Sequence, residues 1–149
     1  MSWYQAVAFC RWLSAQLGDT VSLPTEQQWE KSARGTDGRI YPYGNEFDAA
    51  KGNTRETGIG QTSAVGLFPD GASPYGVLGL SGNVWEWCLN QYEDSSQTAV
   101  DASGKSRVVR GGSWFYYRDF ARAVSRSRYS PDGRYSDQGF RVVRGSSPI

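Results

Sequence analysis

Eighteen glycines, scattered without period through 149 residues, constrain this chain more than any other feature. Glycine loses more conformational freedom on folding than other residues and suits left-handed turns, so it disfavours long regular elements. With six prolines, these residues divide the chain into short elements joined by many turns, which excludes a helix bundle. Their lack of period excludes collagen and simple linker sequence. A hydrophobic fraction of 38% would leave a thin core, but six Trp, nine Tyr and six Phe compensate, because each ring buries a large area. The length predicts one domain, residues 1–149.

Net charge is +1 but unevenly placed: residues 1–104 carry 6 Lys/Arg against 12 Asp/Glu, and residues 105–149 carry 10 Lys/Arg against 3 Asp. Aromatic and glycine residues separate these arginines, and no Lys falls between 107 and 144. The pattern favours internal struts pairing with the acidic half over a phosphate-binding stripe, so nucleic acid is not the expected partner.

Histidine is absent, and Cys10 and Cys88 stand in unlike contexts with no CxxC spacing. This excludes Ser-His and Cys-His catalysis, His-ligated metals and a disulfide scaffold, and predicts two buried free thiols. No segment approaches the length of a membrane-spanning helix, so direct membrane insertion is not expected.

Along the chain, Trp3, Ala6, Val7, Cys10, Leu13 and Leu17 recur at helical spacing between Ser2, a suitable N-cap, and Gly18. Val21-Ser22-Leu23-Pro24 reads as a short extended piece. Thr25-Glu26-Gln27-Gln28 then forms a capping box for a second helix ending at Gly35. Residues 36–81 are rich in turn signals. A loop of that length needs turn hydrogen bonds, aromatic plugs or a bound cation to hold it. Gly82-Asn83-Val84-Trp85-Glu86-Trp87-Cys88 alternates as a strand, and residues 91–105 read as a polar surface excursion. The last third is bracketed by two similar runs, Arg107-Val108-Val109-Arg110 and Arg141-Val142-Val143-Arg144. Strands are expected at Val108-Val109 and at 140–143, paired in one sheet, with a displayed surface between them.

These residues carry a specific resemblance. Trp3-Tyr4-Gln5-Ala6-Val7, Leu23-Pro24-Thr25-Glu26-Gln27-Gln28-Trp29-Glu30, Tyr41-Pro42-Tyr43-Gly44-Asn45, Gly82-Asn83-Val84-Trp85-Glu86-Trp87, Arg110-Gly111-Gly112-Ser113-Trp114 and Gly139-Phe140-Arg141 resemble, in order, the formylglycine-generating-enzyme (sulfatase-modifying factor) family. The resemblance implies an α+β, C-type-lectin-like fold with two helices, a small antiparallel sheet and much ordered loop. Family members carry a further N-terminal portion, so the first strand of the sheet is expected to be missing or replaced.

Oxidase members use two C-terminal cysteines to bind copper. Here Arg118 and Ala123 fall at about those positions and no Cys follows Cys88, so no soft site for copper(I) is expected and the chain is not expected to be an enzyme. The resemblance also implies calcium around Glu86 and the carbonyls of Gly82 and Val84, with one side-chain ligand lost at Gly79. The alternative is a buried Glu86 carboxylate paired with a C-terminal arginine. No other cofactor is expected.

Within the family, the last third most resembles variable proteins diversified by retroelements. In those a frame of Gly-Gly-Ser-Trp, spaced arginines, Pro-Asp and Gly-Phe-Arg-Val-Val is constant. The frame here would include Arg110 to Trp114, Arg122, Arg126, Pro131, Asp132, Arg134 and Gly139 to Val143, its arginines acting as scaffold struts. The displayed positions would be Phe115, Tyr116, Tyr117, Phe120, Ser125, Ser127, Arg128, Tyr129, Ser130, Gly133, Tyr135, Ser136 and Asp137. Randomising both adenines of an Asn codon never yields Lys, Glu, Gln, Met or Trp, and none of these stands at the thirteen positions. Tyr with Ser, Gly and some Arg is the chemistry of antibody-type binding surfaces. The alternative is that several of these rings plug the core or loops, although a Phe-Tyr-Tyr run must expose at least one of them. The partner implied is a macromolecule, a protein.

Overall fold

The computed structural model describes residues 1–145. Helix α1 (Trp3–Leu17) is set by local chemistry at both ends. The Ser2 hydroxyl accepts from the Gln5 amide, the Gln5 side chain accepts from the Ser2 amide, and Gly18 closes the helix at φ 68°. Strand β1 (Thr20–Ser22) follows. Helix α2 (Glu26–Arg34) uses the same device, with reciprocal bonds of 3.1 and 2.8 Å between Thr25 and Gln28 and with Gly35 at its end.

Strands β2 (Trp85–Gln91), β3 (Arg107–Arg110), β4 (Arg126–Tyr129) and β5 (Gln138–Gly139) form one sheet in the order β4-β3-β2-β5. Its pairs are antiparallel except β2 with β5, which run parallel. Strand β6 (Val143–Gly145) pairs with β1 in a separate antiparallel ribbon. The architecture is α+β, with two sheets where one antiparallel sheet was expected.

The twin arginine-valine runs do not pair with each other. The first is β3, at the heart of the larger sheet. The second is not one strand: the chain leaves β5 after Gly139 and enters β6 only at Val143. Between them the Arg141 side chain reaches Glu86 and the Phe140 ring packs on Phe9. Strand β2 also starts later than its alternation predicts. Gly82 and Asn83 are left-handed, at φ 84° and 69°, which interrupts an extended backbone.

β2 is buried on both faces. Trp85 and Trp87 join Trp3, Ala6, Val7 and Cys10 of α1, while Cys88 joins Trp29 and Ala33 of α2. Val109 and Val108 divide in the same way, so the helices cover opposite faces of the sheet. Trp3, Trp29, Trp85 and Trp87 are essentially inaccessible. Each removes about 200 Å² from water, which favours folding by about 5 kcal/mol per ring before the entropy of ordering is counted.

Residues 36–81 are held by close backbone approach. A Cβ on Gly82 would lie 2.1 Å from the Asn53 carbonyl oxygen. That approach lets the Asn83 amide donate to the same oxygen at 2.7 Å. The Asn83 carboxamide oxygen in turn accepts from the Ser63 amide at 2.9 Å and from Asn53 Nδ2 at 3.2 Å. The stacked pair Tyr41 and Tyr43 adds an aromatic plug.

Candidate ligand-binding face

The C-terminal arginines are mostly struts. Arg107, Arg110, Arg126, Arg128, Arg141 and Arg144 pair respectively with Asp101, Glu26 and Glu30, Glu26, Glu93, Glu86 and Asp19. All six acids lie in the first 104 residues, so the charge asymmetry of the sequence is neutralised across the fold. Arg110, fully buried, joins three elements: its guanidinium donates to Glu26 at 3.0 Å, to Glu30 at 2.8 Å and to the Ala123 carbonyl at 2.7 Å. It thereby ties α2 to β3 and to the segment leading into β4.

Two of the five frame arginines expected to act as struts, Arg122 and Arg134, depart from that role. Arg126 fulfils it, bridging Glu26 and stacking on Tyr92. Arg122 is exposed and pairs only with nearby Asp119. Arg134 is exposed. Among the described residues neither pairs with an acid of the first 104 residues.

The segment after β3 folds back through Gly112 (φ 72°), where a Cβ would lie 2.9 Å from the Phe120 carbonyl oxygen. This turn sorts the rings. Tyr116 points inward onto Trp85, and Phe115 and Tyr117 point outward, 54% and 53% exposed. Phe120, also exposed, rests its edge on Trp85. The β4 segment sorts likewise: Arg128 is exposed, whereas Ser127 and Tyr129 are half-buried. Tyr129 packs on Trp87 and carries Tyr135 on its outer side. Burial, and then the Tyr116 hydroxyl 3.4 Å away, push the Tyr129 hydroxyl well above the usual range.

Of the remaining displayed positions, Ser130 and Ser136 are exposed, and Ser125 and Gly133 are half-buried. The Ser125 hydroxyl donates to the Asp119 carbonyl. Asp137 is not displayed. It is buried and accepts from the Ser113 hydroxyl at 2.8 Å, so its carboxylate fastens the two ends of the 113–137 stretch together. The outward set is therefore Phe115, Tyr117, Phe120, Arg128, Ser130, Tyr135 and Ser136.

The fold also brings in a residue that the sequence did not mark. The turn at Arg55–Thr57 docks against this stretch, with the Arg55 amide donating to the Tyr116 carbonyl at 3.0 Å. The Arg55 guanidinium lies 4.9 Å from the Tyr117 ring centroid and 5.8 Å from that of Phe115. No motif or spacing joins Arg55 to positions some sixty residues later, so only the fold reveals it.

Both thiols are buried, and burial raises the pKa of each, which leaves neither poised as a nucleophile. The carboxylate expected to ligate calcium is engaged by donors of the protein. Glu86 accepts from Arg141 Nε at 2.5 Å, Arg141 Nη2 at 2.8 Å and Trp29 Nε1 at 2.7 Å. A dication there would face the guanidinium charge. At Gly79, where a side-chain ligand is missing, a Cβ would meet Arg141 Nη2 at 3.8 Å.

The model of the sulfatase-modifying factor enzyme 1-like domain matches residues 1–146. The inactive C-alpha-formylglycine-generating enzyme 2 of Bos taurus is 35% identical over 162 residues, covering 98% of this chain and 49% of that protein. The formylglycine-generating enzyme of Mus musculus is 33% identical over 172 residues, covering 99% and 44%. The chain thus spans about half the length of the curated relatives it matches. Among solved structures, Treponema denticola variable protein 1 superposes with a TM-score of 0.82 at 27% identity, covering 95% of this chain and 68% of that one. PvdO from Pseudomonas aeruginosa superposes with the same score and identity, covering 97% and 60%.

Proposed function

The chain belongs to the sulfatase-modifying factor enzyme 1-like family, and we propose that it serves as a non-enzymatic binding module, presenting a diversified face to a protein ligand. The observation that carries this reading is the sorting of rings. Phe115, Tyr117, Phe120 and Tyr135 are exposed, whereas Tyr116 and Tyr129 of the same region pack on the buried Trp85 and Trp87. Tyrosines fixed from below, with Ser and Arg between them, provide contact area at low entropy cost. Likeness to a protein named as variable supports diversification.

The DNA flanking the gene tests the diversification. A reverse-transcriptase gene with a near-copy of this stretch, differing at adenines of the displayed codons, is the expected finding. Absence of such a template would sink diversification and leave binding standing.

A second reading, an oxidase, draws on relatives that include formylglycine-generating enzymes as well as inactive counterparts. Two buried thiols with raised pKa argue against it. Copper(I) and a Cys-containing peptide added to the protein should give no metal-dependent oxygen uptake, and uptake would establish the oxidase instead.

A further inference from the structure

We propose that the Arg55 guanidinium, seated over Phe115 and Tyr117, is the carboxylate-reading anchor of this face, and that its partner is a protein segment bearing an Asp or Glu side chain. The inference rests on the ligand-face reading and adds a chemistry to it.

Most arginines around the face are already occupied. Arg122 pairs with Asp119, Arg126 with Glu26 and Arg128 with Glu93. Arg55, Arg118 and Arg134 are exposed and carry no ion pair among the described residues, but of these Arg55 alone sits over two rings of the face, its guanidinium making ring contacts only. The adjacent acid, Glu56, is engaged by the Arg118 amide at 2.9 Å. A guanidinium stacked on rings is held in one plane while its N–H edge stays open, and that fork matches a carboxylate. The Arg55 backbone is itself fixed by its bond to Tyr116, so little freedom is lost when an acid docks.

The space beside it has the right scale. Arg55, Gly58, Gly60, Trp114 and Phe115 line a cavity of about 230 Å³. Small-molecule sites run to roughly 300–1,000 Å³, so this one suits a single inserted side chain. Trp114 lines the same cavity, and its buried indole N–H has no hydrogen-bond partner among the described residues. One guanidinium fork, with no lysine lining the cavity, favours a carboxylate over a phosphate chain.

The test is selection of a random displayed peptide library on the purified domain, followed by binding of the selected peptides to Arg55→Gln, Arg55→Lys and Tyr135→Ala. Because Arg55 is exposed, both Arg55 variants should melt as the parent does. The expected result is Asp or Glu enriched at one peptide position, with affinity falling roughly tenfold or more in Arg55→Gln. Arg55→Lys should restore little, since an ammonium lacks the fork. Peptides that depend on Tyr135 but carry no acid and ignore Arg55→Gln would overturn the anchor and leave the face intact. Peptides indifferent to both residues, or no peptides at all, would remove the face reading and the anchor with it.

Discussion

Glu86 holds Arg141 through two bonds, Nε at 2.5 Å and Nη2 at 2.8 Å, across 55 residues of sequence. The pair pins the segment after β5 to the centre of the sheet, and Trp29 Nε1 completes the carboxylate's coordination at 2.7 Å. Removing one member leaves a charge buried without its partner, which costs about 3–5 kcal/mol. Glu86→Gln and Arg141→Met should each lose on that order in urea unfolding, and the double variant should lose clearly less than the sum.

Acid should weaken the fold through carboxylates that the folded state prefers ionised. Burial pushes Glu30 up, but hydrogen bonds from Arg110 and Arg34 outweigh it and leave it below its ordinary value. Asp37 is lowered to about 2, chiefly by the Arg39 hydrogen bond. A depressed folded pKa means that the stabilisation is complete above the unfolded value and disappears as pH falls through the folded one. Stability should therefore hold near neutrality and decline from about pH 4 downward. Urea midpoints measured from pH 7 to pH 2 check this, and Glu30→Gln should flatten the decline.

Gly82 is needed for two reasons at once, a φ of 84° and a backbone oxygen where its Cβ would lie. Gly82→Ala should destabilise by more than about 2 kcal/mol, since strain and overlap add. Gly58→Ala is the control: its φ of 76° is similar, yet nothing lies within 4 Å of the added carbon. It should cost roughly 1 kcal/mol. The difference between the two thermal midpoints isolates the close approach that orders residues 36–81.

What was legible in the sequence was local. Ser2 with Gln5, and Thr25 with Gln28, specify helix starts within four residues, so both helices could be read directly. Strand pairing could not. β5 is two residues long and finds β2 from more than fifty positions away, and the second arginine-valine run looks like β3 while contributing to a different sheet. The thirteen candidate positions were legible as chemistry but not as geometry. Codon logic admits an Asp at 137 without saying that Ser113 holds it inside, and it is blind to Arg55, which arrives on another loop.

The sorting of the tyrosines makes stability and binding separable. Tyr116 and Tyr129 rest on Trp85 and Trp87, their hydroxyls 3.4 Å apart. Truncating either opens a gap over a buried tryptophan, so Tyr116→Ala and Tyr129→Ala should each lose about 2 kcal/mol or more. Tyr117 and Tyr135 are 53% and 55% exposed, and each makes one ring contact, with Arg55 and Tyr129 respectively. Tyr117→Ala and Tyr135→Ala should stay within about 1 kcal/mol of the parent in the same unfolding assay. Peptides selected on the parent should nevertheless bind those two variants at least tenfold more weakly, as expected of aromatic contact anchors. If the outward pair destabilises as much as the inward pair, the rings are core plugs and the displayed surface is not built from them.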